Sequence, residues 1–255
     1  MSATPIQILI ILGAGLVGGF VNTMAGGGSF LTLAALELAG LPSSMANGTN
    51  RVAIEIQTIM AVLGFKSKGV SDFRTSLQFA VPALLGAVAG AYVAVDLPEN
   101  IFHRVMAVAM LVMLAILIVN PKKWLKDRKV ELTPKRRVLG YFVFAIVGFY
   151  GGAIQAGVGF LLITSLVLVA GLDLVRTNSH KVFIIGLYTL FALVMFAVRG
   201  QVNWLLGLIL AVGNGSGGWL ASRLAVEKGE RIVRVVLGVM LVVLAVRYLD
   251  LIPGF

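Results

Sequence analysis

No cysteine occurs anywhere in the 255 residues. Disulfides, thiolate metal sites and cysteine nucleophiles are thereby excluded. Charge is scarce as well: Asp, Glu, Lys and Arg make up 13% of the chain, about half of the roughly 25% usual in soluble domains. Histidine occurs only at His103 and His180, and no acidic pair stands at metal-ligand spacing. No convergent set of nucleophile, base or metal ligands is expected, so the chain is read as a non-enzyme without cofactor or metal. There is no Gly-x-x-x-x-Gly-Lys-[Ser/Thr] loop, which argues against direct ATP use.

What fills the sequence instead is apolar. Hydrophobic residues make up 59%, and the mean hydropathy is +0.98. That leaves too little polar surface to cover a water-soluble globule. Stretches without any Asp, Glu, Lys or Arg cover 1–36, 75–95, 105–120, 138–172, 182–198, 200–222 and 235–246. Most are long enough to cross about 30 Å of hydrocarbon as helices of about 20 residues. In lipid the backbone must bond within its own segment, which favours helices. The alternation of a membrane β-barrel is missing. The expected fold is all-α: a polytopic helical membrane protein, multi-pass in the inner (plasma) membrane. The first run lacks a cationic leader and continues past signal length, so a cleavable signal is not expected.

The formal charge of +10 does not point to nucleic acid. Lys122, Lys123, Lys126, Arg128, Lys129, Lys135, Arg136 and Arg137 sit in one polar stretch between apolar runs. This is the pattern of a cytoplasmic loop, held by the positive-inside rule and by anionic lipid. The lipid bilayer is therefore a partner and nucleic acid is not; a homo-oligomer is left open.

That loop divides the chain into two related parts. At an offset of 131 residues, Gly40, Leu41 and Asn47 match Gly171, Leu172 and Asn178. Phe65, Lys68, Gly69, Asp72 and Phe73 match Phe196, Arg199, Gly200, Asn203 and Trp204, and Gly86 matches Gly217. Gly19-Phe20 and Gly148-Phe149 match with a small shift of register. The expected organisation is a first transmembrane repeat at 1–121, a basic cytoplasmic loop at 122–136 and a second repeat at 137–255. Each repeat opens with a long apolar run broken by glycine, at Gly26-Gly27-Gly28 and at Gly151-Gly152 with Gly157 and Gly159. Glycine is costly inside a helix, so each run reads as two short helices, bent or re-entrant. Three spans follow in each repeat: Ala46–Phe65, Ser76–Val95 and Phe102–Asn120, then Lys181–Val198, Trp204–Arg223 and Val233–Leu249. An odd number of crossings makes the repeats inverted, with both termini outside. The loop charges fit that arrangement better than a parallel one. Inverted repeats with broken helices are a transporter architecture.

The stretch Gly19-Phe20-Val21-Asn22-Thr23-Met24-Ala25-Gly26-Gly27-Gly28-Ser29-Phe30-Leu31-Thr32 resembles the first motif of the TauE/SafE sulfite-exporter family. So do Gly40-Leu41-Pro42 and Ala46-Asn47-Gly48-Thr49-Asn50-Arg51. A weaker second copy runs from Gly151 to Phe160 and from Thr177 to Lys181. The resemblance spans essentially the whole chain. It implies transport of a small sulfur oxyanion or organosulfonate, without fixing substrate or direction. The family's first motif often carries an acidic residue ahead of the glycines; Asn22 stands near that place here.

The residues point to an anion site by their own chemistry too. Helices beginning after Gly28 and Gly159 present positive N-termini and free N–H groups, and Ser29 and Thr32 add hydroxyls. Asn47, Thr49, Asn50 and Arg51, and their counterparts Asn178, Ser179, His180 and Lys181, open a span each with amides, hydroxyls and a cation. Arg51 can clamp an oxyanion with two hydrogen bonds; Lys181 offers a point charge. Helix capping is the plainer role for the same residues. The candidate substrate-binding set is Asn22, Ser29, Asn47, Thr49, Asn50, Arg51, Gln155, Asn178, Ser179, His180 and Lys181. Glu55, four residues after Arg51, is expected to pair with it; the sharper role is a protonatable coupling group. The expected function is secondary transport of a small anion by alternating access, with proton coupling as an option and an anion channel as the alternative.

Overall fold

The computed structural model describes residues 4–102, 104, 105, 108, 133–229, 231, 232 and 235. Every regular element among them is helical, as the charge-free runs require. In chain order these are α1 (Pro5–Met24), α2 (Ser29–Leu38), α3 (Ser43–Ser67), α4 (Phe73–Val95), α5 (Pro134–Ala153), α6 (Val158–Ala170), α7 (Leu174–Val198) and α8 (Trp204–Lys228). Pro5–Met24, Arg74–Val95, Leu174–Val198 and Trp204–Lys228 are long and apolar enough to cross a membrane. α3 is equally long at 25 residues but carries Arg51 and Glu55 in its middle. The expected spans Phe102–Asn120 and Val233–Leu249, and the stretch from Lys122 to Lys129, lie outside the described residues, save for single positions at their ends.

Local chemistry sets where the helices begin. Thr4 caps α1 in a reciprocal box with Gln7, ahead of Pro5 at the first helical position. Thr133 and Pro134 repeat that start at α5. Asp72, Asp173 and Asn203 cap α4, α7 and α8 through their side-chain oxygens. A cap satisfies one of the N–H groups that the first turn leaves unpaired. Because Asp173 is the cap, α7 starts at Leu174, a full seven residues before the expected Lys181.

The two glycine-broken runs each form a helix pair. α1 ends at Met24, the chain turns through Gly26 with φ 93°, and α2 folds back so that Gly28 and Thr32 lie against Gly18. The first limb is not short, as expected from sequence, but a full 20 residues; only α2, with 10, is short. In the second pair the turn is at Gln155 (φ 67°) and Gly157 (φ 74°), so Gly159 lies inside the first turn of α6 rather than ahead of it.

Glycine spacing then dictates the long-helix pairing. Gly15 and Gly19 of α1 meet the backbone of α8 at Leu210 to Asn214, while Gly213 and Gly217 of α8 meet α1 at Leu12 to Phe20. Gly86 and Gly90 of α4 meet α5 at Ala145 and Phe149; Gly148 and Gly152 of α5 meet α4 at Ala83 and Ala87. Small residues four apart on both partners let membrane helices pack main chain against main chain. Both pairs run parallel. Ser216 is exposed and bonds back to the Val212 carbonyl; its glycine neighbours make the contacts.

The helix ends gather at two faces. At one, Arg199 pairs with Asp96 (Nη1–Oδ1 3.0 Å) and Gln201 donates to the Val95 carbonyl at 2.7 Å. At the other, Lys68 pairs with Glu227 (Nζ–Oε1 2.7 Å), close to Lys66, Arg74, Arg223 and Lys228 in sequence. These two ion pairs stand at the same 131-residue offset, Lys68 to Arg199 and Asp96 to Glu227.

Candidate functional site

The two helix breaks meet. A Cβ on Gly26 would strike the main chain of Gly159 and Phe160, and one on Gly159 would strike Gly26. α1 and α5 thus end beside each other's broken partner, deep within the molecule. The last carbonyls of such helices have no following turn and no lipid donor to satisfy them.

Donors arrive crosswise. From α3, Asn47 Nδ2 donates to the Ala153 carbonyl at 2.9 Å. Arg51 Nη2 donates to Gly152 O at 2.5 Å and Ala153 O at 3.4 Å, and Nη1 to Gly151 O at 3.4 Å. From α7, Asn178 Nδ2 donates to Met24 O at 3.0 Å. Lys181 Nζ donates to Asn22 O, Thr23 O and Asn178 Oδ1 at 3.0, 2.8 and 2.7 Å. The helix C-terminus is the negative end of its dipole, which favours a cation there. Both motifs therefore sit inside their own helices and cap the C-terminus of another. They do not open a span, nor do they cap their own N-terminus. Arg51 also lies over the Phe196 ring, 4.5 Å from its centroid.

No ion pair joins Arg51 to Glu55. The guanidinium is committed to the carbonyls of α5 and to Phe196, and i,i+4 spacing permits a pair without compelling it. Glu55 is half-buried, with Oε2 inaccessible and unpartnered.

The remaining expected residues fall into separate groups. Asn22 Nδ2 donates to Ser29 Oγ (3.2 Å) and Gln57 Oε1 (3.1 Å), and Gln57 Nε2 to Thr23 Oγ1 (2.9 Å), a closed network at the first break. Thr32 Oγ1 donates to Asn50 Oδ1 at 2.8 Å. Thr49 and the Ser179–His180 pair lie at opposite ends: Thr49 Oγ1 accepts from Asn203 N–H (2.9 Å), whereas Ser179 Oγ donates to Val70 O (3.2 Å) and His180 Nδ1 bonds Ser76 Oγ (2.7 Å). Gln155 is buried at the second break.

A cavity of about 340 Å³ opens beside Ser179 and His180, lined also by Gly69, Val70, Ser71, Asp72, Leu172 and Arg176. It lies on the face of the Lys68–Glu227 pair, next in sequence to Lys181. Asp72 at its rim accepts hydrogen bonds from Thr75, which hold its carboxyl below the usual carboxylate range. Sequence reading did not single out Tyr188, Thr23 or Ser76. Tyr188 follows Lys181 by seven residues, two helical turns along the same face, and that spacing was the available signal.

Buried cations beside broken helices, in a multi-pass helical bundle, define the class of membrane transporters. The chain belongs to the sulfite exporter TauE/SafE family, whose model matches residues 11–248. It is similar to a probable membrane transporter protein of Sinorhizobium sp, 27% identical over 92% of this chain and 90% of that protein. A probable membrane transporter protein of Haemophilus influenzae is 26% identical, covering 91% of each. The probable membrane transporter protein YfcA of Escherichia coli is 25% identical over 96% of this chain and 91% of its own. No solved structure matches. The protein is thus a multi-pass inner-membrane transporter.

Proposed function

We propose that the chain is a secondary carrier of a small anion, a sulfur oxyanion or organosulfonate, working by alternating access. One observation carries this: Arg51 and Lys181 are fully buried and, among the described residues, neither is paired with a carboxylate. Carbonyl dipoles solvate the two charges but do not neutralise them. Ionisable groups at membrane depth are costly and mark substrate paths, and an uncompensated positive interior is complementary to an anion. The family's name and the glycine breaks support the same reading, and no catalytic step belongs to it.

The organisation we propose is two inverted repeats, 1–121 and 137–255, joined by a cytoplasmic loop at 122–136. The parallel pairing of α1 with α8 and of α4 with α5 supports it, since each repeat's first helix then starts at the opposite face. The basic face is the cytoplasmic one, which makes the 340 Å³ cavity an entrance from that side. Glu55, with its unpartnered oxygen, is the group we assign to proton coupling.

The test is flux in proteoliposomes with sulfite, thiosulfate, small sulfonates and carboxylates, with and without a pH gradient. Saturable, gradient-dependent movement of a sulfur anion is the expected outcome. Non-saturating conductance would make the protein a channel. Movement of carboxylates alone would discard the sulfur substrate.

A further inference from the structure

The two breaks are built alike but are not equally satisfied. At the first, Lys181 has three acceptors for its three N–H donors, and Asn22, Gln57, Thr23 and Ser29 bond one another. Near it the Asn214 amide, packed against Gly18, and Asn50 Nδ2, whose Oδ1 accepts from Thr32, are left unpaired, but the cation itself is saturated.

The second break is open in its hydrogen bonding. Arg51 Nε and the Tyr188 hydroxyl are buried donors without acceptors, and Asn47 Oδ1 and Gln155 Oε1 are buried acceptors without donors. They converge on one stretch of chain. Asn47 and Arg51 share the Ala153 carbonyl. The Tyr188 hydroxyl abuts Gly151 and lies beside Arg51 and Gln155, its contact to Gln155 falling short of full hydrogen-bond geometry. Gln155 holds φ 67°, the single non-glycine residue with positive φ among the described residues. Side chains other than glycine resist that conformation, and strain of this kind gathers at ligand sites. Buried polar groups are almost always partnered in a finished structure, so four orphans at one break point to a missing polar occupant.

We propose that the transported anion binds at the second break, on Arg51 Nε and the Tyr188 hydroxyl, as a monoanion bearing one acidic hydrogen. This rests on the carrier reading above and deepens it. Two donors beside a guanidinium call for an oxyanion's oxygens. Asn47 Nδ2 is fixed on Ala153, so its Oδ1 is a fixed acceptor, and it calls for a donor that a fully deprotonated anion lacks. One guanidinium without a carboxylate partner balances a single negative charge.

The experiment uses purified full-length protein and Tyr188→Phe, which removes one hydroxyl and keeps the ring. Wild type and variant are compared for half-saturation of sulfite uptake into proteoliposomes, at a mildly acidic pH where sulfite is monoprotonated, and for the melting shift that sulfite produces in detergent. The variant is expected to raise half-saturation about tenfold, the loss of one charge-assisted hydrogen bond. It is also expected to lose most of the ligand-induced shift while melting no lower than wild type without ligand, because the hydroxyl has no protein partner. Methanesulfonate and sulfate, neither of which carries an acidic hydrogen at that pH, should not compete with sulfite. An unchanged half-saturation and shift in Tyr188→Phe overturns the placement, as does a lowered melting point without ligand, which would make the hydroxyl structural. Equal competition by sulfate overturns the monoanion assignment. If wild type neither transports nor is stabilised by any sulfur anion, it is the carrier reading that fails.

Discussion

Arg51 and Lys181 do equivalent work from non-equivalent positions. Lys181 falls at the counterpart of Asn50, one residue short of Arg51's. Arginine's longer fork reaches three carbonyls of α5, and the ammonium reaches two of α1 with Asn178 as a third acceptor. Charge burial is tolerable here because each cation replaces water with helix-end carbonyls. Lys181→Met would strand three buried acceptors at roughly 1–3 kcal/mol each, a large share of the total stability of a folded chain. The variant is expected to elute as aggregate in size-exclusion chromatography, with Lys181→Arg substantially recovered. A monodisperse Lys181→Met with wild-type melting would show that the first break needs no cation. The motif residues were legible as polar groups clustered with a cation. Their direction was not: sequence spacing cannot tell whether an amide caps its own helix or a distant one.

Among the elements, the glycine turns were readable because no other residue tolerates both the backbone angle and the contact. Gly26 and Gly40 both hold left-handed backbone, with φ 93° and 94°, yet their surroundings differ. Nothing lies near a Cβ on Gly40, whereas one on Gly26 meets the Gly159 main chain. Gly40→Ala should cost only the left-handed penalty, roughly 1–2 kcal/mol, read as a modest fall in melting temperature. Gly26→Ala should prevent accumulation of folded protein in the membrane. Comparable expression and melting of the two variants would mean the breaks do not bear on each other. Boundaries were less readable. The start of α7 is expected at Lys181, beside the charge-free run, whereas Asp173 caps a helix that starts seven residues earlier and forms an ion pair with Arg176.

For the whole molecule, the ion pairs Lys68–Glu227 and Asp96–Arg199 are partly exposed and each contributes little to stability. Their value is as markers of opposite faces. The absence of native cysteine makes them testable without background. With a membrane-impermeant maleimide on intact cells, Asp96→Cys should label at once and Glu227→Cys, its counterpart 131 residues on, only after permeabilisation. Labelling of both from one side would refute the inverted arrangement; labelling in the reverse order would keep the inversion and turn the protein over.

Composition and periodicity by themselves determined that this chain lives in lipid as helices and that its apolar runs are broken beside glycines, because lipid leaves the backbone no alternative and glycine is costly inside a helix. Only the tertiary structure decided which helices pair, since four-residue glycine spacing names an interface without naming its partner. It alone also decided that the cations cap the helix broken in the other half, and that the ammonium at one break is saturated while the guanidinium at the other keeps an unpaired N–H. Those are properties of where side chains from distant segments come to rest, and a linear pattern does not carry them.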